Sequence, residues 1–271
     1  MTDPAEAYLD LLKRMLTRWN FDAPYRMPAM RTRRGRMLSR VNRVISPLGI
    51  GILQRHEFDP LLRKLGWDQP WQAETMIGSI RMDNLHMCIR TALEDGVPGD
   101  LMETGVWRGG AVIFMRGALL AYGDETRKVW VADSFEGLPA PSGKYSADAT
   151  SDLHEWDHLA VSVNQVKANF DRYGLLDDRV KFVKGWFKDS LPTAKVKKLA
   201  VLRLDGDMYE STIDALTHLY PKLSPGGFLI VDDYGVIPAC DRAVNDYREA
   251  NNITEETTRL EGIGMYWRKA G

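Results

Sequence analysis

The sequence predicts an α/β fold with a mainly parallel sheet. Between residues 100 and 250, short apolar runs typical of buried strands alternate with segments of helical periodicity, which is the pattern of a doubly wound sheet. Acidic residues end several of these runs, at the sheet edge where open α/β folds bind ligands. Two β-rich runs around Gly262 then predict a terminal antiparallel hairpin, so we expect seven strands.

The individual elements follow from the spacing of apolar residues. A long helix is predicted between Trp71 and Asp95, where Gly96 stops it. Strands are predicted at 100–104, 128–132, 180–184, 200–204 and 227–231, with the hairpin at 254–268. Further helices are predicted at 110–121, 157–173, 210–222 and 239–250. One α/β domain over residues 71–271 accounts for this order.

Residues 1–70 are expected to form an N-terminal extension that is helical and rich in arginine. An amphipathic helix is expected at 5–19 and an irregular, poorly ordered stretch at 22–36. The extension carries a basic block formed by Arg31, Arg33, Arg34, Arg36, Arg40 and Arg43. A solvated face or an oligomer contact is the favoured interpretation of this block, and an interfacial helix or an RNA patch is the alternative.

Composition and charge narrow the possible function classes. The formal net charge of −1 shows no excess that would attract nucleic acid. Cys88 and Cys240 form no CxxC pair and have no histidine at metal-ligand spacing, so zinc and disulfide roles lack support. Neither a secretion signal nor a long apolar run occurs, so we expect a cytoplasmic protein without a membrane span.

The first candidate binding segment is LMETGVWRGG, in which Glu103 closes a strand and Gly105, Gly109 and Gly110 lead into a helix. Such glycines allow the backbone to approach a ligand closely. Their spacing differs from the G-x-G-x-x-G of dinucleotide enzymes, which hold a pyrophosphate on helix amides. A strand-end carboxylate beside a glycine turn suits S-adenosylmethionine, which has no phosphate and carries a positive sulfonium. An ordinary strand–turn–helix junction is the alternative.

Two further segments complete the predicted cofactor site. Asp133 follows the strand VWVA, at the position where a carboxylate accepts both hydroxyls of a ribose. In VKGWFKDSLP, Trp186 and Phe187 are suited to stack on adenine and Asp189 to accept from its exocyclic amine. Helix capping by Asp133 or Ser134 and a surface loop around Trp186 are the alternatives.

The most informative segments are AVLRLDGD and FLIVDDY, which end two predicted strands with acidic pairs. Neighbouring parallel strands would bring these carboxylates together, where they repel one another unless a cation neutralises them. An all-oxygen site favours Mg²⁺, so we predict a magnesium site made by Asp205, Asp232 and Asp233. Capping of the following helices is the alternative, and Asp207 is a candidate for it.

A metal at this position would explain catalysis. It would lower the pKa of a substrate hydroxyl and hold the oxygen in line with the sulfonium methyl group. The protein then needs a base, for which Asp205 is the candidate because it lies near both the metal and the oxygen. His154 or His158, in the loop after Asp133, is the alternative base.

With these segments in hand, the sequence resembles the macrocin O-methyltransferase (TylF-type) family over roughly residues 70–268. The matching segments are ETMIG, RMDNL, DGVPGDLMETGVWRGGA, VWVADSFEGLP, FDRYGLLDDRV, KGWFKDSLP, LAVLRLDGDMYEST, LYPKLSPGGFLIVDDYG, GMYWRK and the earlier YLDLLKRMLTRW. The resemblance implies a class I methyltransferase, Rossmann-like fold that uses S-adenosylmethionine and Mg²⁺. It also implies methyl transfer to a hydroxyl of a small molecule, in particular a sugar of a glycosylated natural product.

The resemblance further implies roles for single residues. Cofactor contacts are implied for Glu103, Thr104, Gly105, Asp133, Ser134, Trp186 and Asp189, and Thr75 and Met76 match a segment that folds over the cofactor. Asp205, Asp232 and Asp233 match the metal carboxylates, and Asp205 also matches the proposed base. His154 falls in a variable lid. A homo-oligomer is expected, and a catechol-type O-methyltransferase or an RNA-binding module that holds the cofactor remains as an alternative.

Overall fold

The computed structural model of the chain describes residues 3–21, 25–26, 28, 32–55, 57–68, 70 and 72–271. The helices of this part are α1 (Pro4–Leu16), α2 (Arg33–Ile45), α3 (Pro60–Leu65), α4 (Gly78–Glu94), α5 (Gly110–Ala121), α6 (Val163–Arg172), α7 (Phe187–Ser190), α8 (Tyr209–Leu219) and α9 (Pro238–Ala250). Its strands are β1 (Tyr25–Arg26), β2 (Gln54–Arg55), β3 (Asp100–Thr104), β4 (Val129–Asp133), β5 (Val180–Lys184), β6 (Leu199–Leu204), β7 (Leu223–Val231), β8 (Thr258–Arg259) and β9 (Met265–Arg268).

Within these described ranges, seven strands form one sheet in the order β5-β4-β3-β6-β7-β9-β8. The first five strands of that order run parallel, whereas β9 is antiparallel to both β7 and β8. The predicted mainly parallel sheet with a terminal antiparallel hairpin is therefore confirmed. From β3 the chain adds β4 and β5 on one side of the sheet and then β6 and β7 on the other, so the strand order switches between β3 and β6. Open α/β sheets bind ligands at such a switch point.

Helices cover both faces of the sheet because its central strands are apolar on both sides. All six residues of β6 are buried, as the unbroken run LAVLRL predicts for a parallel strand. On one face the core combines α1, α4, α5 and α6, represented by Leu12, Ile89 and Phe170. On the other face α8 and α9 pack through Leu216 and Val244.

Two predicted helices begin several residues later in the structure, and the helices predicted at 5–19 and 210–222 end three residues earlier, at Leu16 and Leu219. The helix predicted at 157–173 begins only at Val163, because Ser162 caps it by accepting the amide of Gln165 and short 3₁₀ turns precede it. The helix predicted from Trp71 begins at Gly78, whose φ of +69° separates it from the irregular segment before it. Trp71 itself lies outside the described residues.

The N-terminal extension is partly integrated into the core. Helix α1 is amphipathic as predicted and buries Leu9, Leu12 and Leu16. The expectation of an irregular stretch at 22–36 is wrong at its end, because α2 begins at Arg33 after an N-cap by Thr32. Residues 22–24, 27 and 29–31 lie outside the described part, and with them Arg31 of the basic block.

The remaining expectations about cysteines and membranes can be compared with the described residues. Cys88 and Cys240 are both free and buried. None of the described helices combines the length and the apolar character that crossing a bilayer requires.

Candidate active site

Two cavities open at the carboxyl edge of the parallel strands and share one wall. The small cavity has a volume of about 180 Å³ and the large cavity one of about 870 Å³. Their common wall is formed by Met76, Trp107, Leu159, Asp205 and Asp207. Molecules bound in the two cavities would therefore be neighbours, which is the arrangement that group transfer between two substrates needs.

The register of the sheet explains why the acidic residues meet at this edge. Leu204 of β6 lies opposite Val231 of β7, so Asp205 and Asp232 are the next residues on neighbouring parallel strands. The Asp232 amide donates to the Leu204 carbonyl at 2.8 Å, and the Asp205 amide donates to the Thr104 carbonyl at 2.9 Å. These bonds extend the sheet ladder to the strand ends and place the following side chains at one point.

Gly105 and Asp133 shape the small cavity. Gly105 has a φ of +79°, and a Cβ on it would lie 1.6 Å from the carbonyl oxygen of Asp205, so the position requires glycine. The Asp133 carboxylate accepts the amides of Val106 at 2.8 Å and Phe135 at 2.6 Å. These bonds fix the carboxylate at the cavity wall and leave lone pairs for further donors. The ribose hydroxyls of S-adenosylmethionine are such donors, so the residues fit this cofactor.

Other predicted cofactor residues border one cavity or both. Ser134 and Trp186 line the small cavity. Glu103 and Thr75 line the large cavity, and Met76 belongs to the shared wall. The structure thus brings residues from four distant segments to one pocket region.

Three predicted cofactor residues line neither cavity. Thr104 is buried within β3. Gly109 has a φ of +88° at the start of α5, and a Cβ there would lie 2.9 Å from a methyl group of Val166, so packing explains this glycine. Asp189 is exposed on α7. Contacts of these residues with a cofactor remain predictions.

The carboxylate cluster is Asp205, Asp232 and Asp233, each of which brings one oxygen within 4.8 Å of the others. Burial and the neighbouring Asp232 raise the pKa of Asp205 to about 6, and burial with Asp207 and Asp205 nearby raises that of Asp233 well above its usual value. A divalent cation would relieve this repulsion. Oxygen donors of this kind suit Mg²⁺, so the residues fit that ion.

Two buried arginines hold the carboxylate cluster, and sequence reasoning missed both. Arg203 in β6 contacts the carboxylates of Glu103 and Asp232, and reaches Asp205 at 2.8 Å. Arg81 in α4 contacts the other oxygen of Asp232. An arginine inside the buried run LAVLRL was the available signal, because a charge is stable there only with partners. Burial raises the pKa of Glu103 to about 8, although Arg203 opposes this.

Backbone strain marks the wall between the cavities. Trp107 has a φ of +47° and Asp207 one of +57°. Such conformations cost bulky or branched residues on the order of 1–3 kcal/mol and are found chiefly at functional sites. The strain supports a functional role for the shared wall.

The two histidine candidates lie in different places. His154 is exposed in the turn Leu153–Glu155 and lines neither cavity. His158 lines the large cavity, and its carbonyl accepts the indole N–H of Trp107 at 2.8 Å. Burial, reinforced by Arg108, lowers the pKa of His158 to about 4, so its imidazole is neutral at pH 7.

Comparison with known proteins gives independent information about the family of this chain. One relative, from Streptomyces olivaceus, is an 8-demethyl-8-(2,3-dimethoxy-alpha-L-rhamnosyl)-tetracenomycin-C 4'-O-methyltransferase, which is 49% identical over 269 residues. The alignment covers 98% of this chain and 94% of that protein. Another, the mycinamicin III 3''-O-methyltransferase of Micromonospora griseorubida, is 51% identical over 81% of this chain and 88% of its own length.

Solved structures agree in fold. The O-methyltransferase NovP superposes with a TM-score of 0.86 at 42% sequence identity, and the alignment covers 98% of this chain and 100% of NovP. The calicheamicin methyltransferase CalS11 shares the fold, with a TM-score of 0.57 at 20% identity over 77% of this chain and 90% of its own. The predicted class I methyltransferase fold is thus confirmed.

A family model supplies the assignment. The model described as Macrocin-O-methyltransferase (TylF) matches residues 5–269, which includes every segment that lines the two cavities. The match confirms the resemblance that the sequence segments indicated. The chain therefore belongs to the macrocin O-methyltransferase (TylF) family and is an O-methyltransferase with S-adenosylmethionine as its methyl donor.

Proposed function

We propose that this methyltransferase transfers the methyl group to a sugar hydroxyl of a glycosylated natural product, and that it requires Mg²⁺. The observation that carries the proposal is the position of Asp205, which belongs both to the carboxylate cluster and to the wall shared by the two cavities. An acceptor hydroxyl in the large cavity and a methyl donor whose ribose lies at Asp133 in the small cavity would meet at this residue.

The relatives support a glycoside as the acceptor. Their names specify a rhamnosyl tetracenomycin and mycinamicin III as substrates. The large cavity, at about 870 Å³, is of the size that binds a whole drug-sized ligand, which leaves room for more than one sugar ring. A catechol is the competing acceptor, because the same metal chemistry would serve it.

The residues of the site divide the mechanistic work. Asp133 holds the ribose end of the donor, while Met76 and Trp107 separate and align the two ligands. Bound Mg²⁺ would supply a Lewis acid that lowers the pKa of the acceptor hydroxyl. Asp232 and Asp233 would hold that ion, and the Asp205 carboxylate would accept the hydroxyl proton. The exposed position of His154 does not favour it as the base.

The test measures methyl transfer from labelled S-adenosylmethionine to three acceptors: a rhamnosylated tetracenomycin, a mycinamicin-type glycoside and catechol. We expect transfer to a glycoside, a loss on addition of chelator of about 100-fold or more, and recovery on addition of Mg²⁺. Transfer that survives complete chelation would contradict the metal requirement. Transfer to catechol alone would contradict the sugar acceptor.

A matched pair of variants locates the metal. Asp232→Asn combined with Asp233→Asn should abolish Mg²⁺ binding in calorimetry while S-adenosylmethionine still binds, because Asp133 and Gly105 are untouched. Asp171→Asn, an exposed carboxylate on α6, should leave both binding events unchanged. Equal Mg²⁺ binding by the double variant and wild type would place the ion elsewhere.

We also propose a cytoplasmic homo-oligomer in which the arginine-rich helix contributes to contacts between copies. Two buried free cysteines are compatible with a reducing compartment. Met37, Val44 and Leu48, on and just after α2, expose 58%, 76% and 75% of their surfaces, which a protein contact would cover. We also propose a division of the chain near residue 70 into an extension and a methyltransferase domain, with α1 of the extension packed into the core of that domain.

A further inference from the structure

The buried side chain of Arg81 joins the carboxylate cluster to the backbone at Met76, in the common wall of the two cavities. It lies in the first turn of α4 with 8% of its surface exposed. One terminal nitrogen contacts Asp232, the other donates to the Met76 carbonyl at 3.2 Å, and Nε donates to the Ile77 carbonyl at 2.8 Å. The guanidinium therefore connects a metal-site carboxylate with two consecutive backbone carbonyls.

Close packing leaves Arg81 little freedom to move independently. A Cβ on Gly66 would lie 2.7 Å from an Arg81 terminal nitrogen and 2.3 Å from the Met76 carbonyl oxygen. On the other side, both oxygens of Asp232 are held, one by Arg81 and one by Arg203. A shift of Asp232 must accordingly be followed by Arg81, and through it by the backbone at Met76.

Met76 makes this connection relevant to the cofactor. It belongs to the wall between the two cavities. We propose that Arg81 is a positioning residue that couples binding of a divalent cation at Asp232 to binding of S-adenosylmethionine beside Met76. This inference rests on the metal site of the proposed function and adds to it a route between the two ligands.

The planar guanidinium is essential to the coupling. It presents donors in a fixed fork, so three oxygens are held in one geometry, whereas a lysine ammonium is a point charge on a flexible stem. Residues that orient a metal-binding carboxylate typically change metal affinity by about 10–100-fold when they are replaced. Coupling between two ligands is reciprocal and typically about 5–150-fold.

The experiment measures S-adenosylmethionine binding by calorimetry with and without saturating Mg²⁺. In wild type, Mg²⁺ should tighten cofactor binding by about fivefold or more. In Arg81→Lys, which keeps the charge and removes the fork, the effect should fall below about twofold and Mg²⁺ affinity should fall about tenfold. Arg90→Met, on the same helix with a side chain 47% exposed, is the control and should behave as wild type.

Further readouts separate coupling from a loss of structure. Thermal unfolding and unchanged cofactor binding without Mg²⁺ show that a variant is folded. Should Arg81→Lys be unstable, hydrogen exchange of the Met76 and Ile77 amides in wild type tests the same link, and added Mg²⁺ should slow it.

Each contrary outcome has a distinct meaning. Equal coupling in wild type and Arg81→Lys overturns the role of Arg81. Binding of both ligands to wild type without coupling, or exchange at Met76 that ignores Mg²⁺, overturns the inference but leaves the proposed metal site in place. Failure of wild type to bind Mg²⁺ removes both the metal site and the inference.

Discussion

Asp133 connects two loops at the wall of the small cavity. Its two oxygens accept amides from loops after two neighbouring strands, at Val106 and Phe135. Burial raises the pKa of Asp133, and these amide hydrogen bonds oppose the rise. The carboxylate is thus held in one orientation, which would reduce the entropy cost of binding the cofactor at the proposed position.

We predict that Asp133→Asn weakens S-adenosylmethionine binding by about 10–100-fold, because hydrogen bonds to a charged acceptor contribute about 1.5–3 kcal/mol. Calorimetric titration of the folded variant measures this. The amide side chain retains one acceptor oxygen, so the fold should persist. Cofactor affinity equal to that of wild type would show that Asp133 is only a structural cap, and Asp189→Asn compares the exposed candidate under the same conditions.

His158 provides a pH prediction at the residue scale. Its pKa is lowered in the folded state to about 4, so the folded protein favours the neutral imidazole. Above the unfolded pKa of about 6.5 the imidazole is uncharged in both states, so it does not affect the free energy of unfolding. As the pH falls from about 6.5 toward 4, the unfolded chain binds the proton more readily than the folded protein, and stability is lost. His158→Gln should reduce the stability lost between pH 7 and pH 4.5 by up to about 2 kcal/mol.

Denaturant unfolding of wild type and His158→Gln at the two pH values tests this prediction. The quantity compared is the change in free energy of unfolding between the two pH values in each protein, because the carboxylates of the site also titrate in this range. Identical losses of stability in the two proteins would mean that the imidazole is hydrated in the folded state.

At the scale of elements, the segment from residue 146 to residue 159 makes three contacts that attach it to the rest of the fold. Its Asp148 accepts the amides of Tyr209 at 2.7 Å and Glu210 at 2.9 Å and so caps helix α8. Asp157 pairs with Arg43 of α2 at 2.6 Å, in an exposed contact. The third anchor is the bond from Trp107 to the His158 carbonyl. Of these, Asp148 is the buried one and should contribute most to stability.

Asp148→Ala should lower the free energy of unfolding by about 2 kcal/mol, because it leaves two amides of α8 without an acceptor. Denaturant unfolding measures the change. Asp152→Ala, at an exposed position in the same segment, is the matched control, and its free energy of unfolding should lie within about 0.5 kcal/mol of that of wild type. Equal effects of the two substitutions would show that the cap adds nothing in solution.

At the scale of the whole molecule, one core extends from α1 to the central sheet. Leu9, Leu12 and Leu16 join the same buried cluster as residues of α4, α5 and β3. The leucines near the N-terminus therefore stabilise the fold that carries the active site, rather than a separate unit.

Leu16→Ala should accordingly destabilise the whole protein by about 3 kcal/mol, through lost burial and the cavity that remains. Leu11→Ala, on the same helix with 54% of the side chain exposed, should change stability by less than about 0.5 kcal/mol. We expect Leu16→Ala to unfold in a single cooperative transition whose midpoint lies at a lower denaturant concentration than that of wild type. Unfolding of α1 in a separate, earlier transition would contradict a common core.

Prediction from sequence succeeded where the signal is local or periodic. The strand Asp100–Thr104 is predicted to the residue, because turn-forming glycines bound this short run on both sides. The convergence of Asp205 with Asp232 and Asp233 also followed, because strand ends in a parallel sheet share an edge. Irregular segments were harder, as the late start of α6 and α4 shows, because capping and a left-handed glycine decide those boundaries.

The sequence by itself determined the order of strands and helices, the family and the identity of the acidic residues at the sheet edge, since periodicity and family motifs depend on residues near one another in the chain. Only the tertiary structure decided that Arg81 and Arg203 hold Asp232 from two sides and that Asp189 faces solvent. These facts depend on contacts between segments as far apart as residues 81 and 232, and no local pattern records which buried charge will meet which partner.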